Sequence, residues 1–207
     1  MDAPAATRAL AGMSTGDTRE HGGARELIIR VRSGDTGAFE ILLRQHERLV
    51  LGSALRLLGQ VDDAKDAAQE VFLRLFKYAG SLDPDQPLAP WLYRVTVNVC
   101  RDAVRQRMAA RRVFVPDDPA DHPGGAIDGG VEGALLTRQR RRVMREALAE
   151  MPERERLALV LRDIEGLETH EVARVLGTSE VTVRTQVSRG RLRLKRLVDR
   201  MMKRTRP

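Results

Sequence analysis

The feature that most constrains the fold is the stretch GLETHEVARVLGTSEVTVRTQVSRGRLRLK, from Gly166 to Lys195. Its first part predicts a helix over residues 169–176, with Thr169 as the N-cap and an apolar stripe at i, i+3, i+4 spacing. Gly177 supplies the left-handed residue that an abrupt helix end prefers, and Ser179 is a favourable N-cap for a second helix. Two helices joined by such a tight turn predict a helix-turn-helix motif.

The second helix of this motif separates apolar from polar residues. At 100° per residue, its apolar positions face inward and its basic and hydroxyl side chains lie on the opposite side. Arginine can form a bidentate pair with guanine, and a helix of this kind reads base edges in the major groove. The inward set is Val183, Val187, Gly190 and Leu194, and the outward set is Arg184, Thr185, Ser188 and Arg189.

The charge of this region favours a nucleic-acid partner over a surface helix that is merely solvated. From Arg184 to the C-terminus there are ten Lys or Arg and a single acid, Asp199. A solvated face normally mixes charges of both signs. Residues 136–207 carry 19 basic and 10 acidic side chains, in a chain whose net charge is +7. Duplex DNA is therefore the leading partner of this part of the chain.

Composition favours an all-helical fold. Aromatic residues make up only 3% of the chain, and no run of alternating β-branched residues suggests a sheet. The single cysteine, Cys100, excludes an internal disulfide and fits a reducing cytoplasm, while the four histidines lack metal-ligand spacing. No apolar stretch reaches transmembrane length. We therefore expect a cytoplasmic protein without cofactor, metal or membrane insertion.

Breaks in the helical pattern divide the chain into four parts. Residues 1–22 lack an apolar period and predict a disordered tail. Residues 113–135 carry only acidic charge, and eight of the 18 residues from Pro116 to Gly133 are Gly or Pro, which indicates a flexible linker. The remaining parts, residues 23–112 and 136–207, predict two small helical domains. Helices are expected from Glu26, from Thr36, from Asp62 to Tyr78, from Ala89 or Pro90, and over residues 138–151 and 153–164.

Three further blocks carry a family resemblance. They are DAKDAAQEVFLRLF (Asp63–Phe76), PWLYRVTVNVCRDAVRQR (Pro90–Arg107) and MPERERLALVLRDIEGL (Met151–Leu167). Followed by the helix-turn-helix, they resemble the extracytoplasmic-function (ECF) sigma factors, the two-domain branch of the sigma-70 family, over about residues 25–200. The resemblance implies an all-α fold, with a region 2 helical bundle and a region 4 helix-turn-helix domain joined by the acidic linker.

The resemblance also assigns roles within the first domain. The helix at Asp63–Lys77 matches the segment that docks on the clamp helices of the polymerase largest subunit, although its polar face alone is more typical of a solvated surface. The segment Trp91–Arg107 matches the promoter-melting segment, in which an amide can hydrogen-bond a flipped-out base and arginines supply positive charge. The implied polymerase-binding residues are Asp66, Gln69, Glu70 and Leu73, and the implied −10 residues are Asn98, Arg94, Arg101 and Arg105.

By the same comparison, the outward residues of the second domain match the positions that read the −35 element. The chain is thereby expected to be a promoter-specificity subunit without catalytic chemistry. Its implied partners are core RNA polymerase, through the clamp helices and the flap region, promoter DNA and an anti-sigma factor. The alternative is a stand-alone helix-turn-helix regulator, which explains residues 136–207 equally well but leaves Trp91–Arg107 without a purpose.

Overall fold

A computed structural model describes residues 18–113 and 131–204. Every regular element in these two ranges is helical, as the sequence predicts. The predicted linker lies largely outside the described residues, as does most of the predicted N-terminal tail. The helices are α1 (Thr18–Arg32), α2 (Thr36–Leu58), α3 (Val61–Tyr78), α4 (Leu88–Val113), α5 (Val131–Ala149), α6 (Glu153–Leu159), α7 (Thr169–Leu176) and α8 (Glu180–Arg204), with a 3₁₀ turn at Ala79–Ser81 and a π-helical turn at Val160–Ile164.

The first helical domain is built from α1 to α4. The Asp35 carboxylate caps α2 by accepting a hydrogen bond from the backbone N–H of Ala38, and Gly59 ends the helix with a φ of 81°. Helices α2, α3 and α4 pack against one another, with α1 packed on α2. Their apolar stripes form the core, which includes Ile28, Leu42, Val50, Val71, Leu75, Leu92 and Val97, all 1% exposed or less.

The second helical domain is built from α5 to α8. Helix α8 lies against α5, α6 and α7 through the inward positions predicted for it, since Val183, Val187 and Gly190 are buried. A Cβ atom added at Gly190 would stand 3.2 Å from the backbone carbonyl oxygen of Glu155. The absence of a side chain at this position therefore lets α8 approach α6 closely, which sets the position of the helix-turn-helix.

Some helix ends differ from the predicted ones. Helix α1 begins at Thr18 and α5 at Val131, so both start inside segments assigned to the tail and the linker. Apolar periodicity is absent from these first turns, so the pattern could not locate them. The N-cap of α7 is Glu168, which forms a capping box with Glu171, and the prediction of Thr169 as the cap was wrong.

The predicted helix over residues 153–164 is interrupted. It is α-helical only to Leu159 and continues as a single π-helical turn over Val160–Ile164. The wider turn changes the direction of the side chains that follow, and such turns are frequent at functional sites. Asp163 in this turn contacts α8, and Glu165, directly after the turn, contacts the first domain.

Candidate nucleic-acid interface

The N-terminal half of α8 presents the four side chains predicted to read duplex DNA. Gly177 takes the left-handed conformation, with φ 63°, and the Ser179 hydroxyl accepts a hydrogen bond from the backbone N–H of Thr182 at 3.2 Å. The turn thus sets the start of α8 as the sequence indicates. The four side chains that follow, Arg184, Thr185, Ser188 and Arg189, are all exposed.

Two of these residues have partners within α8. The Arg184 guanidinium donates to the Glu180 carboxylate at 2.7 Å, and the Thr185 hydroxyl donates to the Val181 carbonyl at 3.0 Å. Both partners lie one helical turn away and are exposed, so these contacts hold the side chains along the helix surface without burying them. Each group can therefore exchange its present partner for a base or a phosphate.

A groove runs beside this face. One of its lining residues, Arg191, makes a contact that was not predicted from the sequence. Arg162, Thr169, Arg184, Ser188 and Arg191 are among its lining residues. Arg191 donates two hydrogen bonds of 2.7 Å to the two carboxylate oxygens of Asp163, in the π-helical turn. This bidentate pair fixes α8 on the preceding segment and neutralises one arginine of the basic helix.

Helix α4 collects the four predicted −10 residues on one stripe. Arg94, Asn98, Arg101 and Arg105 follow i, i+4, i+7, i+11 spacing, on the side opposite the buried residues Leu92 and Thr96. Arg94, Asn98 and Arg105 are exposed. Arg105 makes an ion pair of 3.4 Å with Asp102 on the same helix. The stripe is thus one continuous polar and basic surface.

Arg101 differs from the rest of the stripe because it has a partner in the other domain. Its Nε donates to the carboxylate of Glu153, the first residue of α6, at 2.9 Å. Its side chain is only 26% exposed. The second domain therefore approaches one edge of the stripe.

Helix α3 displays the predicted polymerase-binding residues on its outer surface. Asp66 and Gln69 are exposed, and the Glu70 carboxylate accepts a hydrogen bond of 2.7 Å from Nε of Arg74. Leu73 is 58% exposed in the centre of this face. Phe76, which the sequence analysis did not assign, is 59% exposed nearby and widens the apolar area. An exposed apolar area rimmed by charges is typical of a protein-binding surface.

A second set of charged contacts joins the two domains, and the sequence analysis missed it. The Glu165 carboxylate, 9% exposed, accepts hydrogen bonds from Arg56 at 2.7 Å and from the Tyr93 hydroxyl at 3.2 Å. Burial, followed by the negative charge of Glu165, raises the pKa of Tyr93. Glu165 precedes a glycine at a helix end, where a solvated acid is common, so no local pattern could have identified it.

Cys100 lies close to the same boundary and is buried, as its apolar surroundings predict. Burial raises the pKa of its thiol to about 12, an effect that the charge of Arg156 in α6 partly offsets. Burial also lowers the pKa of Arg156, whose guanidinium donates to the Leu148 and Ala149 carbonyls at the end of α5. A thiol of this kind is a packing group and not a reactive one.

Within the two described ranges, no group of three or more His, Cys, Asp or Glu side chains is placed to hold a metal ion. No helix in those ranges combines the length and apolar character needed to cross a membrane.

Each of the two domains matches the profile of a known protein family. The profile described as Sigma-70 region 2 matches residues 42–110, and the one described as Sigma-70, region 4 matches residues 141–194. The first match contains the α3 face and the α4 stripe, and the second contains the helix-turn-helix. A stand-alone helix-turn-helix regulator is therefore not favoured, because the first domain also has a counterpart in sigma factors.

Whole-chain comparisons agree with these matches. The RNA polymerase sigma-H factor of Pseudomonas aeruginosa is 29% identical over 81% of this chain and 89% of its own length. The ECF RNA polymerase sigma factor SigM of Mycobacterium tuberculosis is 32% identical over 84% of this chain and 83% of its own length.

Solved structures show the same fold. The structure of CnrH in complex with the cytosolic domain of CnrY has a TM-score of 0.61 at 29% identity, over 86% of this chain and 97% of that one. The sigma factor RpoE of Bartonella quintana, in complex with the anti-sigma factor NepR, has a TM-score of 0.62 at 22% identity, over 78% of this chain and 96% of that one. The chain belongs to the ECF sigma factors of the sigma-70 family, the proteins that give RNA polymerase its promoter recognition.

Proposed function

We propose that the two domains divide promoter recognition between them, with residues 23–112 binding polymerase and single-stranded −10 DNA and residues 136–207 reading duplex −35 DNA. The observation that carries this proposal is the presence of two separate basic surfaces, the stripe on α4 and the exposed face of α8. The first includes an amide that can hydrogen-bond a base edge. The second lies at the start of the helix that follows the helix-turn-helix turn, where it can enter the major groove.

The α4 stripe supports base capture because its amide is accessible and flanked by arginines. Asn98 is exposed, with Arg94 one turn before it and Arg101 one turn after it. An amide can both donate to and accept from the Watson–Crick edge of an unpaired base, while guanidinium groups neutralise the adjoining phosphates. Arg105 extends the same positive surface by one turn. Binding to the unpaired strand would then offset the free energy of unstacking.

The α8 face supports duplex recognition because it is exposed and combines two long cationic side chains with two hydroxyl groups. Arg184 and Arg189 can reach base edges or phosphates, and Thr185 and Ser188 can hydrogen-bond either. The α3 face, with Leu73 at its centre and Asp66, Gln69 and Glu70 around it, suits a protein surface and is assigned to the polymerase clamp helices. The flap region is the expected polymerase contact of the second domain.

The proposal includes an anti-sigma factor as a further partner, since the structure of CnrH is a complex with the cytosolic domain of CnrY and that of the Bartonella RpoE is a complex with the anti-sigma factor NepR. It also places the protein in the cytoplasm with the polymerase, and assigns it no catalytic reaction of its own. Strand opening would use binding free energy alone.

In vitro transcription with core polymerase and a library of promoter fragments tests the proposal directly. We expect initiation only when the chain is added, from fragments that share one −35 and one −10 sequence. Duplex binding by the chain with no stimulation of core polymerase would contradict the proposal and favour a stand-alone regulator.

A further inference from the structure

The exposed face of α8 continues beyond the four residues predicted to read duplex DNA. At 100° per residue, five further side chains of the helix fall on the same side as Thr185 and Ser188. All five are exposed. We call this set the distal face, and it consists of Leu192, Lys195, Arg196, Asp199 and Lys203.

Ion pairs divide the cations in the C-terminal half of α8 into two groups. Three arginines on the flanks of the distal face each pair with a carboxylate elsewhere in the second domain. These pairs are Arg191–Asp163, Arg193–Glu155 and Arg200–Glu150. Among the described residues, Lys195, Arg196 and Lys203 have no such partner. The flanking arginines therefore hold α8 on its own domain, whereas the charge of the distal face remains available to an anion.

The length of α8 carries the distal face out of the major groove. The helix has 25 residues, which corresponds to about 37 Å at 1.5 Å per residue. The groove is only ~12 Å wide and curves around the duplex, so a straight helix that enters by its N-terminal half leaves it within a few turns. Lys195 and Arg196 lie about 11 Å along the helix axis beyond Ser188 and Arg189. At that point the nearest groups of a bound duplex are the phosphates at the edge of the groove.

Two observations favour duplex DNA over an acidic protein as the partner of the distal face. This face is continuous with the one assigned to −35 DNA, so a duplex bound there extends alongside it. Lys195 and Arg196 are also adjacent in the sequence, and their ammonium and guanidinium groups can form charge-assisted hydrogen bonds with phosphate oxygens. Asp199 lies one turn further and repels phosphate, so the contact ends near Arg196.

We propose that Lys195 and Arg196 bind phosphates of the duplex that flanks the −35 element, whatever its sequence. The inference rests on the proposed reading of −35 DNA by α8 and adds a contact outside that element. A phosphate contact releases counterions, so each of these two cations adds affinity and salt dependence but no discrimination between sequences. The helix thus has a reading half, at its N-terminal end, and a half that binds the DNA backbone.

Two duplexes of different length test the proposal. The long one extends about one helical turn, ~34 Å, beyond the −35 element on each side, and the short one ends at the element. Binding of the full chain is measured by fluorescence anisotropy without polymerase, which has phosphate contacts of its own. For Lys195→Gln/Arg196→Gln we expect about tenfold weaker binding to the long duplex near 0.15 M salt, with a salt slope shallower by about 1.8, or 0.9 for each phosphate. On the short duplex the loss should stay within about twofold, because the flanking phosphates are missing.

The matched control is Arg193→Gln/Arg200→Gln, which removes the same number of cations from the same helix. Its arginines are those paired with Glu155 and Glu150, so it should bind both duplexes within about twofold of wild type. Equal losses for the two double variants would show a general effect of net charge and overturn the proposal. Binding by Lys195→Gln/Arg196→Gln that matches wild type on both duplexes would make the distal face a solvated one, or, if transcription with core polymerase still falls, a protein-binding one. Either result would overturn it.

Asp199→Asn provides a test that loss of the fold cannot imitate, because a gain is expected. Removal of this exposed carboxylate leaves Lys195 and Arg196 without a nearby negative charge. Binding to the long duplex should tighten by about two- to threefold, and binding to the short duplex should not change. Weaker or unchanged binding to the long duplex would contradict a phosphate strand beside this face.

A long duplex with a scrambled −35 element separates this inference from the proposed function. Phosphate contacts are independent of sequence, so Lys195→Gln/Arg196→Gln should lose the same factor on the scrambled duplex as on the cognate one. If wild type does not distinguish the two sequences but the double variant still loses affinity, the reading of −35 DNA fails and the phosphate contact stands. If wild type distinguishes them and the double variant loses nothing, the proposed function stands and this inference fails.

Discussion

Arg184 gives the sharpest test of duplex recognition, because the structure shows what it would give up on binding DNA. Its guanidinium pairs with Glu180 at i, i−4, and the two side chains are 64% and 45% exposed. An exposed pair of this kind contributes about 0.3–0.5 kcal/mol. A bidentate contact with a base contributes about 1–3 kcal/mol, so the base contact prevails over the intrahelical pair.

Arg184→Ala should therefore weaken binding to the cognate −35 sequence by about 1–3 kcal/mol, or about 5- to 150-fold. The loss should fall on that sequence alone, and discrimination at one base-pair position should relax. Glu180→Gln should strengthen binding by up to about 0.5 kcal/mol, since it frees Arg184 and removes a negative charge from the DNA-facing end of α8.

The assay is fluorescence anisotropy of holoenzyme on promoter fragments that differ only in the −35 element, across a range of salt concentrations. Arg193→Ala is the control, since Arg193 lies further along α8 and pairs with Glu155. An equal loss on every sequence, with a salt dependence reduced by about one phosphate contact, would refute base readout and make Arg184 a phosphate contact.

Four further outcomes are expected. Asn98→Ala should reduce open-complex formation, measured by permanganate footprinting, and spare binding to a −35 duplex; equal loss of both would exclude a role in base capture. Leu73→Asp should weaken binding to core polymerase in a pull-down while leaving urea stability within about 0.5 kcal/mol, because the side chain is largely exposed. Val172→Ala should lower the free energy of unfolding by about 2 kcal/mol, because this buried valine packs the helix-turn-helix. Cys100 should resist iodoacetamide at about pH 8 in the folded chain and react on unfolding, because its raised pKa keeps the thiol protonated; fast alkylation of the folded chain would contradict its burial.

Apolar spacing and capping residues in the sequence predicted most of the helices and much of the candidate site. The helix-turn-helix follows from Gly177, Ser179 and the apolar spacing of α8, all of which act within a few residues of one another. The surfaces on α3 and α4 follow from helical periodicity in the same way, because residues three and four apart must share a face. Their assignment to polymerase and to −10 DNA came from the family resemblance and stays a proposal.

Two local details of helix geometry were beyond this kind of prediction. Thr169 is a good N-cap residue in isolation, yet Glu168 takes that place because its carboxylate and that of Glu171 satisfy each other's backbone N–H groups. The π-helical turn breaks a periodic apolar pattern that reads as one helix. At the start of α7, the two hydrogen bonds of the capping box outweigh the small preference for Thr as N-cap.

The sequence alone determined that this chain forms helices with a basic recognition surface at its C-terminal end, because helical period and charge are properties of neighbouring residues. Only the tertiary structure decided that Glu165 meets Arg56 across 109 positions of sequence, and that the two domains pack into one continuous core. Such pairs depend on where whole helices lie, since the local sequence around a carboxylate does not identify which distant guanidinium will be its partner.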